Sequence, residues 1–257
     1  MPFLELSDAK LNFEVIGDLS SQTPLCLLNG FTRPLTDFYS FSKTLQKHDI
    51  PHILLDHRGS GQSNEYETTS LEIMANDCVA LLDFLKIETF HLLGISMGGI
   101  VSQKLCEDHA SRIQKLFLVS TATKAAHVHK VHFSKDLDDN IIKAETYFSD
   151  RYLQGNKMLI KAIAKQVTAK VTEKHASMQS KAIDTFDFSN VVSSHQNKIH
   201  FIHGKEDNIM PIRYLYDVIS KTPGVTSQIF DECGHLLLVE RPKEFYQYVV
   251  NEIFQTK

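Results

Sequence analysis

The sequence predicts an α/β fold of one domain, a mostly parallel, doubly wound sheet with a helical segment inserted in it. Three observations carry that prediction. Apolar runs of roughly four to seven residues recur along the chain and end at glycine or a polar residue, the pattern of strands covered on both faces. Patterns of helical period separate those runs, and alternation of the two favours parallel sheets. With 257 residues, 42% hydrophobic and 23% charged, the chain has ordinary globular usage and can bury about 70–75% of its unfolded surface. No disulfide or structural metal is needed to hold such a core.

Residues 11–15 (Leu-Asn-Phe-Glu-Val) alternate with period two, as a half-exposed strand does, and the pattern stops at Gly17. Leu25-Cys26-Leu27-Leu28 is continuously apolar up to Asn29-Gly30, and residues 52–55 repeat that form ahead of Asp56. Between them, residues 37–47 carry Phe38, Phe41 and Leu45 on one helical side. Residues 71–85 read as an amphipathic helix that turns Ile73, Ala80, Leu81 and Phe84 toward a core. Strand 90–95, helix 98–109 and strand 113–119 follow, and after a long interruption strand 199–202, helix 211–220, strand 226–230 and helix 242–254. A crossover between parallel strands needs only about a dozen residues, far fewer than separate Ser120 from Lys198. That stretch is rich in helix formers, above all over residues 156–178, and holds no repeat or Gly/Ser linker. It reads as a helical insertion over residues 123–190, lying over one end of the sheet within a single domain spanning 1–257.

Charge and cysteine usage exclude several classes. The 27 basic and 31 acidic residues give a net charge of −4, which argues against an affinity built on neutralising nucleic-acid phosphates. Cys26, Cys78, Cys106 and Cys233 lie far apart with no zinc-like spacing, so buried free thiols in a reduced cytoplasm are expected. The first residues lack a basic stretch followed by an apolar run, and no apolar stretch reaches membrane-spanning length; a soluble, cytoplasmic protein is the expectation. No phosphate loop, dinucleotide fingerprint or metal-ligand spacing occurs, so neither a cofactor nor a metal is expected.

The chemistry concentrates in Leu92-Leu93-Gly94-Ile95-Ser96-Met97-Gly98-Gly99-Ile100. A strand runs into Gly-x-Ser-x-Gly and straight on into a helix. So tight a turn forces Ser96 into strained dihedrals, and the residues two before and two after it must lack bulk, which Gly94 and Gly98 provide. The Ser96 hydroxyl then projects outward beside the free N–H groups of a helix start. With its flanking strand and helix, this segment resembles the nucleophile elbow of the α/β-hydrolase superfamily.

The resemblance implies that an acid and a histidine follow in that order. Asp207, in Phe201-Ile202-His203-Gly204-Lys205-Glu206-Asp207, stands where the family's acid lies, and His235, in Asp231-Glu232-Cys233-Gly234-His235, stands where its histidine lies. Both positions fall just past the carboxyl ends of strands, the edge at which open α/β sheets carry their sites. His235 would take and return the Ser96 proton while Asp207 orients the imidazole. Glu206 is a neighbouring alternative acid that departs from the family pattern; the loop over residues 120–123 offers no carboxylate. His57, His91, His200 and His203 read as structural. Asn29-Gly30-Phe31 resembles the family's His-Gly-x, with asparagine for histidine, and implies oxyanion donors at the backbone N–H groups of Phe31 and Met97. The segment Asp56-His57-Arg58-Gly59-Ser60-Gly61-Gln62-Ser63 resembles a recurring family turn and reads as structural.

The resemblance implies a serine esterase on a small-molecule carboxylic ester of small or medium acyl length. Family members with an aspartate nucleophile, dehalogenases and epoxide hydrolases, are disfavoured by Ser96. Enol-lactone hydrolysis, C–C bond hydrolysis and perhydrolysis share the framework, and a weakly catalytic ligand-binding member is the alternative of another class. Within the insertion, Leu159, Ile163, Val167 and Val171 recur every fourth residue, as do Lys157, Lys161 and Lys165. The apolar stripe is expected to pack down on the site as a lid. The lysines fit a solvated helix face or, more sharply, a docking patch for an acidic acyl carrier protein or a CoA ester. Small lidded family members that cleave a pimeloyl carrier-protein methyl ester have a similar size and layout.

Overall fold

Leu25-Cys26-Leu27-Leu28 sets the geometry of the molecule. Successive side chains on a strand face opposite ways, so an unbroken apolar run must be covered twice. The computed structural model describes residues 3–131, 136–170 and 173–254, the side chains of 166–170 and 173 excepted. Its strands are β1 (Phe3–Glu5), β2 (Ala9–Ile16), β3 (Leu25–Leu28), β4 (His52–Leu55), β5 (Glu65–Tyr66), β6 (Phe90–Ile95), β7 (Ile113–Val119), β8 (Ile199–Gly204) and β9 (Thr226–Phe230). They form one sheet in the order β1-β2-β4-β3-β6-β7-β8-β9, with β5 beside β2. From β4 through β9 every pairing is parallel, and β2 joins β4 antiparallel. The sheet is thus mostly parallel, as the sequence predicts.

The helices are α1 (Tyr39–Lys47), α2 (Leu71–Phe84), α3 (Met97–His109), α4 (Leu137–Glu145), α5 (Asp150–Lys170), α6 (Glu173–Ala182), α7 (Ser189–Ser194), α8 (Ile212–Lys221), α9 (Leu237–Glu240) and α10 (Pro242–Phe254). Leu25, Leu27, Leu54, Leu93 and Phe117 pack on one face with Phe41 and Leu45 of α1 and Phe245 and Val249 of α10. Cys26, Leu28, Ile53, Leu92 and Leu116 pack on the other face with α2 and α3. Each such buried side chain stabilises the fold by about 1.5–3 kcal/mol relative to exposure. All four cysteines are buried free thiols, and no helix among the described residues is long and apolar enough to cross a membrane.

Some expected details differ. The buried stripe of α2 is Leu71, Met74, Ala75, Cys78, Leu81 and Leu82. Phe84 is 60% exposed, because it falls off that 3.6-residue stripe, and its ring stands steeply to that of Phe13, 6.3 Å between centroids. The predicted first helix opens as a 3₁₀ turn, Leu35–Phe38, before α1 begins. In α5 the buried residues among those whose side chains are described are Ile160 and Ala164, which pack with Phe148. Leu159, one position earlier, is 43% exposed and Ile163 half-buried. A break at Asn156, whose side-chain amide donates to the Tyr152 carbonyl, re-aims the helix and shifts the stripe by that one residue. The side chain of Val167 and all of Val171 lie outside the described residues. The insertion leaves and rejoins the sheet side by side: Phe188 N–H donates to Thr123 O, Ala125 N–H to Phe186 O, and Lys124 pairs with Asp187.

Candidate active site

Ser96 ends β6 and starts α3 with φ +54° and ψ −118°. Such a conformation costs a non-glycine residue of order 1–3 kcal/mol, so close packing must hold it. A Cβ on Gly94 would lie 2.3 Å from Gly98 O and one on Gly98 2.3 Å from Leu28 O, which leaves room for glycine alone at both positions. Ser96 N–H donates to Val119 O, and the Thr121 hydroxyl donates to Ser96 O. The serine is therefore gripped from β7 while its own hydroxyl stays free to face the loop after β9.

His235 sits on that loop. Its Nε2 is 3.0 Å from Ser96 Oγ and its Nδ1 is 2.8 Å from Asp207 Oδ2. A carboxylate only accepts, so Nδ1 carries the proton and Nε2 is left as the acceptor for the Ser96 hydroxyl. Asp207 is buried after β8, and its Oδ1 accepts the N–H groups of Ile209 and Met210. Burial by itself would raise the Asp207 carboxyl; the adjoining His235, His203 and the Met210 N–H outweigh it and hold the carboxyl below its ordinary value. The structure thus brings Ser96, His235 and Asp207 into one chain of hydrogen bonds.

The other expected positions separate by environment. Glu206 points away and accepts the Asp150 N–H at the start of α5. His203 donates Nε2–H to Met210 O, and burial lowers its affinity for a second proton; it braces the loop that carries Asp207. His57 and His91 are likewise buried and held neutral, titrating near about 4. Arg58, in the turn read as structural, makes a buried pair with Asp77 and a partly buried one with Asp8, while Asp56 accepts from Asn12, Leu35 and Gln62.

The loop after β3 lies against the serine: a Cβ on Gly30 would come 3.3 Å from Ser96 Cβ. Asn29, where the family has histidine, braces it by accepting the Gly30 N–H and donating to Pro34 O and Asp37. The backbone N–H groups of Phe31 and Met97 make no hydrogen bond among the described residues, and both lie next to residues that touch Ser96. No cluster of three or more metal-ligating side chains occurs among the described residues.

The family model of the alpha/beta hydrolase fold matches residues 23–159. The chain belongs to the α/β-hydrolase fold family. This α/β-hydrolase is 26% identical over 205 residues to 3-oxoadipate enol-lactonase 1 of Acinetobacter baylyi, covering 76% of this chain and 75% of that protein. It is 23% identical over 282 residues to a proline iminopeptidase of Lactobacillus crispatus, covering 96% and 94%. Among solved structures, Est816, described as an N-acyl homoserine lactone degrading enzyme, superposes with a TM-score of 0.84 at 23% identity over 99% of this chain and all of that one. The enol-lactonase of Burkholderia xenovorans LB400 superposes with 0.81 at 20% identity, covering 99% and 100%. At these identities the superpositions speak to fold.

Sequence reasoning missed three side chains of the insertion and its surroundings. Tyr147 accepts the His235 N–H at its carbonyl and sets its ring edge-on to the imidazole, 5.5 Å between centroids. Burial, then the charge of Asp207, pushes its hydroxyl well above the ordinary range. Glu240 accepts the Gly234 N–H with one carboxylate oxygen and the N–H and hydroxyl of Ser149 with the other. Gln179 reaches the Asn29–Thr32 loop. None belongs to a motif, and each has a partner more than 80 residues away, although Glu240 also holds the nearby Gly234, so no local signal marks it.

Proposed function

We propose that this α/β-hydrolase is a serine hydrolase of carboxylic esters with small or medium acyl groups, lactones among them, acting through an acyl-enzyme on Ser96. The observation that carries the reading is the unbroken path from the Ser96 hydroxyl through His235 to the buried Asp207 carboxylate, in steps of 3.0 and 2.8 Å. A serine hydroxyl is a poor nucleophile until a base within reach takes its proton. His235 Nε2 takes that proton as Ser96 Oγ attacks the acyl carbon, and Asp207 stabilises the imidazolium that forms. The carbonyl oxygen becomes an oxyanion that the Phe31 and Met97 N–H groups receive, each such donor contributing about 3–4 kcal/mol to lowering the barrier. Collapse expels the alkoxide, which leaves as alcohol with the His235 proton. Water, deprotonated by the same imidazole, then hydrolyses the acyl-enzyme and returns Ser96. A relative named as an enol-lactonase supports a cyclic ester, whose leaving oxygen stays tethered to the acyl group. The buried thiols suit a reducing compartment, and we place the enzyme in the cytoplasm.

The test is a panel of p-nitrophenyl acetate, butyrate and octanoate with a set of lactones. The wild-type chain is expected to turn over at least one ester after a stoichiometric burst, and Ser96→Ala to lose roughly 10³-fold or more of kcat. A burst without turnover would favour the ligand-binding class. Absence of both burst and fluorophosphonate labelling at Ser96 overturns the reading.

A further inference from the structure

We propose that Gln179, on α6 of the insertion, is a positioning residue for the oxyanion site. The inference rests on the ester-hydrolase reading above. In the turn from Gly30 to Arg33, three of the four N–H groups are taken. Gly30 N–H donates to Asn29 Oδ1, Thr32 N–H to Gln179 Oε1 at 2.7 Å, and Arg33 N–H to Gly30 O. Phe31 N–H alone is left unbonded among the described residues, so the turn offers one donor beside Ser96. Thr32 holds φ +55°, a left-handed conformation that is costly for a β-branched residue and persists only where surroundings hold it. Gln179 supplies that hold on the peptide joining Phe31 to Thr32, the unit immediately after the free donor.

The opposite end of the same amide is fixed as firmly. Gln179 Nε2 donates to Arg58 O at 2.7 Å and to Ser60 Oγ at 3.0 Å. The orientation of the amide is dictated by its partners, since the Thr32 N–H only donates and the Arg58 carbonyl only accepts. The side chain is fully buried, so each unmade bond would cost about 1–3 kcal/mol. Arg58 is locked by Asp77 and Asp8, and α6 rests on its loop, where a Cβ on Gly59 would come 3.1 Å from His175 Cβ. Gln179 therefore ties the oxyanion turn to a rigid anchor, and it does so from the insertion. The segment that covers the site also sets the donor geometry beneath it.

The experiment compares wild type, Gln179→Met and Gln179→Glu on the best p-nitrophenyl ester, with affinity for a trifluoromethyl ketone as a probe of the anionic tetrahedral adduct. Methionine keeps the volume and makes none of the bonds; glutamate keeps the acceptor for Thr32. For Gln179→Met we expect kcat to fall roughly 10- to 100-fold, KM to stay within threefold, and trifluoromethyl ketone affinity to fall by the same factor as kcat/KM. Gln179→Glu, which keeps the acceptor for Thr32 but turns an oxygen toward the Arg58 carbonyl, recovers part of that kcat. A folded Gln179→Met with kcat within twofold of wild type overturns the proposal, as does lost kcat with unchanged ketone affinity. If Gln179→Met does not fold, Gln179→Asn, polar but too short to span both partners, is read by the same criteria. A wild-type chain that hydrolyses no ester sinks the functional reading instead, which keeps the two failures apart.

Discussion

Glu206 and Asp207 are adjacent carboxylates that the loop after β8 turns in opposite directions. Asp207 is buried under His235, which holds its carboxyl below the ordinary carboxylate value, whereas Glu206 caps the start of α5 through Asp150. Asp207→Asn is expected to lower kcat by roughly 10⁴-fold, since the amide turns the imidazole tautomer the wrong way. Glu206→Gln, which can still accept the Asp150 N–H, leaves kcat within about twofold by the same logic of retained bonds; steady-state kinetics on one ester reads both. His57 and His91 give the pH dependence of stability. Burial, aided in His91 by Lys115, lowers both from the ordinary 6.5 to about 4. As pH falls below 6.5 the unfolded chain takes up these protons before the folded one does, so stability is full above that pH and is lost down toward pH 4. Each histidine withdraws up to about 1.4 kcal/mol per pH unit. Both His57 nitrogens lack a partner among the described residues, so His57→Leu removes one such proton uptake without breaking a bond. Urea midpoints at pH 7 and pH 5 are expected to lie closer together in His57→Leu than in wild type; equal separations would count against it.

At the scale of elements, what could be read in the sequence follows from how local the physics is. Leu25–Leu28 and the runs at residues 92–95 and 116–119 were legible because the part of a strand that is covered on both faces is apolar without a break. The elbow at Ser96 was legible because a Cβ at either flanking glycine meets backbone at 2.3 Å, a constraint written in two residue types at fixed spacing. The short strands β1 and β5 were not, since Phe3–Glu5 and Glu65–Tyr66 draw their definition from β2 and not from a pattern of their own. Nor was the α5 stripe, because the break at Asn156 changes which side of the helix faces Phe148. The site divides the same way. Ser96, Asp207 and His235 stand at loop positions fixed by the strands before them. Gln179 and Glu240 become meaningful only once Thr32 and Ser149 arrive from distant parts of the chain.

For the molecule as a whole, the insertion does two mechanical jobs with opposite ends of its sequence. Near residues 147–151 it is stapled to the loops that carry His235 and Asp207 through Tyr147, Glu240 and Glu206, and near residue 179 it is bonded to the Gly30–Arg33 turn. Between these anchors the side chains of Lys157, Lys161 and Lys165 on α5 are exposed, with Met158 exposed among them. On a chain of net charge −4 this stripe is a local positive feature. Exposed charges of this kind act on encounter more than on chemistry, and their effect fades over about 10 Å at 0.1 M salt. If an acidic acyl carrier protein or a CoA ester delivers the acyl group, the stripe would serve as its dock. Changing all three lysines to glutamate is then expected to leave p-nitrophenyl ester hydrolysis within about twofold, since no lysine approaches Ser96, and to lower kcat/KM on a carrier-bound acyl methyl ester by roughly tenfold, through the association step and less so at high salt. Equal activity of the variant and the wild type on the carrier-bound ester at low salt would remove the carrier from the reading and leave the lysines as a solvated helix face.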